Sequence, residues 1–305
     1  KNDLPNCHFQ IPPKGSKNPY LAAHNKPPKR VLKHFLPHFI QENYRHSHTQ
    51  GRLPAFTMFV DLSGFTRLTE KLMEKGAEGA EELSYILNHI FQPTVARVYE
   101  NGGFIPYFAG DSFNAIFPIE HPDVEQIGAA VLETAQTILR RFTREQQSEK
   151  SLLAEHQIGI KIGLSEGEVE WGIVGNRRKG YYFRGAPIDG CAQAQVRAES
   201  LQVVCDSAFL KALPPNSDRV KAIQDGFYRL NLTDLALAKP DRKELNLPKP
   251  DPNIALEFMP EEAFAEGNAG EFRNVVNVFL SFTGVDSHEA LDHLATIVLD
   301  QSLNF

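Results

Sequence analysis

Residues 56 to 118 constrain the fold of this chain more than any other stretch. They begin with Phe56-Thr57-Met58-Phe59-Val60-Asp61-Leu62-Ser63-Gly64-Phe65-Thr66 and close with Tyr107-Phe108-Ala109-Gly110-Asp111-Ser112-Phe113-Asn114-Ala115-Ile116-Phe117-Pro118. The first run reads as a buried strand that delivers Asp61 at its end and turns through Ser63-Gly64 into a helix. The second reads as two strands, Phe104 to Phe108 and Phe113 to Phe117, joined by a Gly110-Asp111 turn, a strong short-range hairpin signal. Taken singly, Asp61 is a helix cap and Asp111 a turn former. If their strands are neighbours in one sheet, the two carboxylates meet at one edge and offer hard oxygen ligands to a divalent cation. Two-metal phosphoryl chemistry uses such a pair, with the ions about 4 Å apart.

Around this unit the hydrophobic periodicity sets out an alternating order of elements. Helices are expected from Phe65 to Lys75 and from Ala80 to Glu100, the second with Leu83, Ile86, Leu87, Ile90, Phe91 and Val95 at helical spacing. Another follows Asp123 and runs to Phe142. Strands are then expected from His156 to Leu164 and from Glu168 to Val174, joined by a Ser-Glu-Gly turn. The order predicts an α+β fold, an antiparallel-rich sheet with helices on one face. Ser63-Gly64-Phe65-Thr66 places backbone N–H groups at a helix N-terminus, where a triphosphate can be held without side-chain charge.

The two motifs resemble those of the catalytic domain of class III nucleotidyl cyclases, a ferredoxin-like fold. In that family a Phe-x-Asp-x-x-Gly-Phe-Thr run and a later Gly-Asp hairpin carry the two metal-binding aspartates. The likeness covers residues 50 to 230 and, more loosely, the last thirty or so. It implies Asp61 and Asp111 as ligands of two Mg2+ or Mn2+ ions, with Leu62 lending a backbone carbonyl. It also implies Ser63, Gly64, Phe65 and Thr66 as the phosphate-holding turn, with Lys161 on the phosphates and ATP as substrate.

Three positions depart from the family pattern. Tyr107 stands where homodimeric cyclases carry a purine-reading Lys. Asp189 and Gln193, in Ile188-Asp189-Gly190-Cys191-Ala192-Gln193, stand where they carry the Asn and Arg that stabilise the transition state. This split resembles the first domain of tandem, bicarbonate-responsive soluble adenylyl cyclases, and implies a partner domain supplying the missing groups. The alternative reading is a non-catalytic nucleotide-sensing or dimerisation module controlling an attached effector. A plain ferredoxin-like interaction domain explains the fold but not both aspartates.

The domain organisation follows. Residues 1 to 49 are expected to form a Pro-rich arm and a docking helix, with Pro37 interrupting the pattern of Val31, Leu32, Phe35, Leu36, Phe39 and Ile40. Residues 50 to 234 make the cyclase-type domain, and 235 to 270 a Pro-containing linker. Residues 271 to 305 open a second, truncated cyclase-type domain: Val275 to Gly284 repeats the character of the Phe56 strand, and a helix follows from Asp286 to Leu299. No Asp stands at the end of that second strand. Lys1 in place of Met suits a piece of a longer protein.

Composition excludes several classes. A net charge of −6 argues against a general nucleic-acid binder. No apolar run reaches the roughly 18 residues of a membrane span, and the amino terminus lacks a signal-peptide core. A cytoplasmic protein without a transmembrane segment is expected. Cys7, Cys191 and Cys205 have no CxxC spacing and read as free thiols. His34 and His38 lack the following Glu of a zinc-binding HExxH motif, so solvated histidines are expected.

Overall fold

The computed structural model describes residues 36–119, 124–148, 151–212, 219–232, 251–259 and 282–302. The helices are α1 (His38–Arg45), α2 (Phe65–Met73), α3 (Ala77–Glu100), α4 (Val124–Gln146), α5 (Leu152–Glu155), α6 (Ala186–Val196), α7 (Ser207–Ala212), α8 (Pro252–Phe258) and α9 (His288–Ser302). The strands are β1 (Gln50–Ser63), β2 (Phe108–Ala109), β3 (Ser112–Pro118), β4 (Gly159–Val174), β5 (Gly180–Arg184), β6 (Gln202–Asp206), β7 (Val220–Ala222) and β8 (Phe227–Leu230). They form one sheet in the order β2-β3-β1-β4-β6-β8-β7, with β5 added to β4. Every pairing is antiparallel except β4 with β6.

Strand β1 is central, and its alternation decides what lies on each face. Phe56, Met58, Val60 and Leu62 are buried on one side, where Phe56 meets Phe209 of α7 edge-on and Phe113, paired with Val60, meets Phe91 of α3. Helix α4 runs beside α3 over this face, with Val131, Thr134, Ala135, Ile138 and Phe142 buried at helical spacing. Thr57 points to the other side, where its hydroxyl donates to the Pro187 carbonyl of α6 at 2.7 Å. Helix α6 thus adds a second layer over the other face of the sheet, a placement not legible in the order of elements.

Two sequence expectations are corrected. The stretches 156–164 and 168–174 are not two strands joined by a turn: from Gly159 to Val174 they form one strand, β4. Its ladder with β1 is uninterrupted from Ser63↔Gly159 to Gln50↔Gly172, and Gly167 stands in register opposite Ala55. The 14-residue β1 supplies hydrogen-bond partners through the Ser-Glu-Gly segment, and those partners outweigh the local turn signal. Residues 104–108 do not form a strand either. Phe104 makes a single bridge to Ile116, and β2 is confined to Phe108 and Ala109. Pro106 has no N–H for a ladder, and its carbonyl accepts from the Tyr181 hydroxyl at 2.7 Å.

Helix α3 runs on through Pro93. Proline at this place deprives the His89 carbonyl of its helical donor. Arg141 of α4 replaces it, donating from Nη2 to the His89 carbonyl at 2.7 Å and from Nη1 to the Ile90 carbonyl at 3.3 Å. Arg141→Met should therefore destabilise the chain by about 1 kcal/mol. In a Pro93→Ala background the cost should shrink, because the helix then satisfies His89 itself. Denaturant unfolding of the four-member cycle measures this, and an equal cost in both backgrounds would contradict the account.

Pro37 stands as the N-cap of α1; the expected arm, and the part of the expected docking helix before residue 36, lie outside the described residues. Within the segment read as linker, α8 forms behind an Asp251 cap and lies on α1. There the Asp251 N–H donates to Gln41 Oε1 at 3.2 Å and Phe258 meets Tyr44 edge-on. The Val275 to Ser281 strand expectation lies outside the described residues. The helix expected after it is α9, which sits on the β4–β5 hairpin: Asp292 and Asp300 accept from the backbone N–H groups of Gly175 and Arg177.

Candidate active site

The two strand-end carboxylates do converge. Asp61 is paired with Ser112, the residue after Asp111, and the Leu62 N–H donates to the Asp111 carbonyl at 3.2 Å. On its other edge Asp61 is in register with Lys161 of β4, so Lys161 projects from the same face. Burial pushes the Asp61 carboxyl up to about 6, helped by the negative charge of Asp111 and opposed by Lys161 and a hydrogen bond from Gln195. Burial also raises Asp111, while its own backbone N–H holds it down. A pair of half-buried acids whose charges oppose each other is the electrostatic signature of a cation or proton site.

The turn that follows is shaped for close approach. Gly64 takes a left-handed conformation, φ 86°, as the N-cap of α2, and no side chain caps that helix. A Cβ at Gly64 would stand 2.8 Å from the Gln157 carbonyl, so conformation and space both require glycine. Thr66 is exposed, Phe65 half-buried, and the Ser63 hydroxyl donates to Ser200 Oγ at 2.9 Å. Helix N–H groups, a Lys and two acids therefore share one end of the sheet. Ser63, Gly64, Phe65, Thr66, Lys161, Asp61, Leu62 and Asp111 all lie at that end.

Among the described residues, no three His, Cys, Asp or Glu side chains gather as a metal cage. The donor set still suits Mg2+ or Mn2+. Such ions are commonly held by one or two carboxylates, with substrate phosphates and water completing the shell.

The three departing residues lie on or beside α6. The Tyr107 hydroxyl hydrogen-bonds with Asn114 and lies near Asp189 and Cys191; burial raises its pKa. Gln193 is exposed on the outer side of α6. The thiols of Cys191 and Cys205 are buried and free, both pushed up by burial. Gln195 was missed from sequence: its Nε2 donates to Asp61 Oδ2 at 2.7 Å. The signal was present, because Ile188, Cys191, Ala194 and Gln195 are the buried stripe of α6 and a lone amide on such a stripe needs a partner.

Comparison with known proteins identifies the family and the fold. The family model of the adenylate and guanylate cyclase catalytic domain matches residues 52–225. Adenylate cyclase type 10 of Mus musculus is 33% identical over 153 residues, which is 48% of this chain and 9% of that protein. The Homo sapiens protein is 33% identical over 150 residues, with the same shares. This chain therefore matches only a small part of these relatives' length. The fold is that of a bacterial light-regulated adenylyl cyclase, with a TM-score of 0.54 at 18% identity over 67% of this chain and 60% of the other. Among the described residues no helix is long and apolar enough to cross a membrane. By the span of the family match and by the motifs it contains, the chain belongs to the adenylate and guanylate cyclase catalytic-domain family.

Proposed function

We propose that this chain is the metal- and phosphate-holding half of an adenylate cyclase. It would act with a second cyclase domain to convert ATP into cyclic AMP and pyrophosphate. The observation that carries the reading is the juxtaposition of Asp61 and Asp111 at one sheet end, beside Lys161 and the uncapped start of α2.

Asp61, Asp111 and the Leu62 carbonyl would hold two divalent ions. When bound, the ions would lower the pKa of the ribose 3'-hydroxyl and neutralise the triphosphate. The turn Ser63-Gly64-Phe65-Thr66 would receive phosphate oxygens on backbone N–H groups, and Lys161 would add a mobile positive charge. The ribose 3'-oxygen, its proton passing to solvent, would bond to the α-phosphorus as the bond from that phosphorus to the bridging oxygen of pyrophosphate breaks. The purine-reading and transition-state groups would come from the partner domain. We place the start of that domain in cis at residues 271 to 305, with α9 as its first helix and 235 to 270 as the connection. ATP over GTP rests on the likeness to the type 10 cyclases.

Calorimetry tests the reading. Mn2+-dependent ATP binding should be measurable for the wild-type chain and lost in Asp61→Ala and in Asp111→Ala. Equal affinity in the double variant would sink the proposal, and metal-dependent binding without turnover in any domain mixture would favour the sensing module.

Regulation by bicarbonate should be weak. Tyr107 occupies the place of a Lys that relatives use at the second, vestigial site, and a phenol, with an ordinary pKa near 10, is neutral at physiological pH. A neutral hydroxyl engaged with Asn114 cannot offer the charge-assisted bond an anion needs. A several-fold rise in turnover with bicarbonate at fixed pH would contradict this.

A further inference from the structure

We infer that Gln195 is a positioning residue for Asp61, fixing that carboxylate in the orientation a divalent cation requires. The inference rests on the proposed metal-binding role of Asp61 and Asp111. Its basis is a built contact: Gln195 is 7% exposed and donates to Asp61 Oδ2 at 2.7 Å across 134 positions of sequence.

The approach of α6 that makes this contact is itself encoded. Gly163 of β4 stands opposite Phe59. A Cβ there would collide with the Cys191 carbonyl and the Gln195 backbone nitrogen. Only glycine lets α6 lie this close to the sheet, and the Thr57 hydroxyl pins the start of the helix through the Pro187 carbonyl. With the helix backbone held, the Gln195 side chain has its reach to Asp61 set from behind.

The chemistry explains the residue type. A carboxylate that ligates a metal loses affinity when free to rotate, and a hydrogen bond to one oxygen removes that freedom. Arg or Lys would do the same but would place a full positive charge against the cation. The amide of Gln supplies the donor without the charge. Glu at this place would add a third negative group to a pair already opposed, and Asn would fall one methylene short.

The test is a Mn2+ titration of the full 305-residue chain in the presence of ATP, reading free Mn2+ by electron paramagnetic resonance. Gln195→Met keeps the volume and removes the donor, and Gln195→Asn keeps the amide and removes the reach. Both should raise the Mn2+ Kd about tenfold to a hundredfold, with binding restored at high Mn2+ and the melting midpoint in EDTA lowered by a few degrees at most, because the Asp61 carboxylate loses one donor. A merely structural role would lower the midpoint in EDTA but leave the Mn2+ Kd of the folded fraction unmoved, which would overturn the inference. So would a wild-type Kd in either folded variant while Asp61→Ala loses binding, and that result would leave the metal reading intact. A wild-type chain that takes up no Mn2+ would overturn the metal reading and this inference with it.

Discussion

Purified by itself, this chain should form cyclic AMP at least about 10⁴-fold more slowly than when mixed with a second cyclase domain that carries a purine-reading Lys and the Asn and Arg pair. In a symmetric dimer of this chain, each cleft would take Asp61, Asp111 and Lys161 from one copy and Tyr107, Asp189 and Gln193 from the other. The transition state gathers negative charge on the α-phosphate. Gln193, exposed on the outer side of α6, is neutral and cannot offset that charge. Asp189 would present a carboxylate where a neutral amide is needed, and like charges near a triphosphate repel. Each missing electrostatic group is worth about 10² to 10³ in rate, so two give the stated factor. A cyclic AMP assay on the chain alone and on the mixture decides it. Substantial activity from the chain alone, removed by Asp61→Ala, would show the transition-state residues to be misassigned.

The second large effect concerns stability without metal. Asp61→Asn should abolish metal-dependent nucleotide binding and yet stabilise the metal-free chain. The Asp61 carboxyl is raised from 3.8 to about 6 by burial and by Asp111, so the folded state binds its proton more tightly than the unfolded state does. Such a group disfavours folding above pH 6 and ceases to do so as pH falls below about 4. The displacement corresponds to about 3 kcal/mol at neutral pH, reduced to about 1 to 2 by partial exposure of the group. Asn keeps the shape and still accepts from Gln195 while removing the charge. In EDTA at pH 7.5 the variant should melt a few degrees above wild type, and the difference should close as pH falls from 6 to 4. A lower midpoint for Asp61→Asn would contradict the assigned electrostatics. Saturating Mn2+ should reverse the order by stabilising wild type alone.

Much of the site was legible because its residues come from two short runs, each carrying its own local grammar. A strand ending in Asp, a Ser-Gly turn and a Gly-Asp hairpin need no distant information to be read, and their convergence follows once β1 and β3 pair. Lys161 came from the family resemblance, since alternation along a strand marks it only as a solvent-face residue; the β1–β4 register sets it opposite Asp61. What failed was local grammar contradicted by a distant partner. Ser165-Glu166-Gly167 looks like a turn until the 14-residue β1 is laid beside it. Gln195 belongs to the same class: its partner is 134 positions away, and only the polar residue on a buried helical stripe hinted that one existed. The α8 helix, inside a Pro-rich segment, is held by α1 through Gln41, Tyr44 and Phe258. Its local signals alone, an Asp251 cap and a Pro at the first turn, are those of many loops.

The central claim is that two cations and a triphosphate meet this chain at Asp61 and Asp111. Crystals grown with Mn2+ and a non-cyclisable ATP analogue, measured at the manganese edge, test it most directly. Two anomalous peaks are expected about 4 Å apart, bound by both carboxylates, with the triphosphate on the N–H groups of the Ser63 to Thr66 turn. Manganese and nucleotide bound elsewhere, with Asp61 still held by Gln195 and no density beside it, would contradict it.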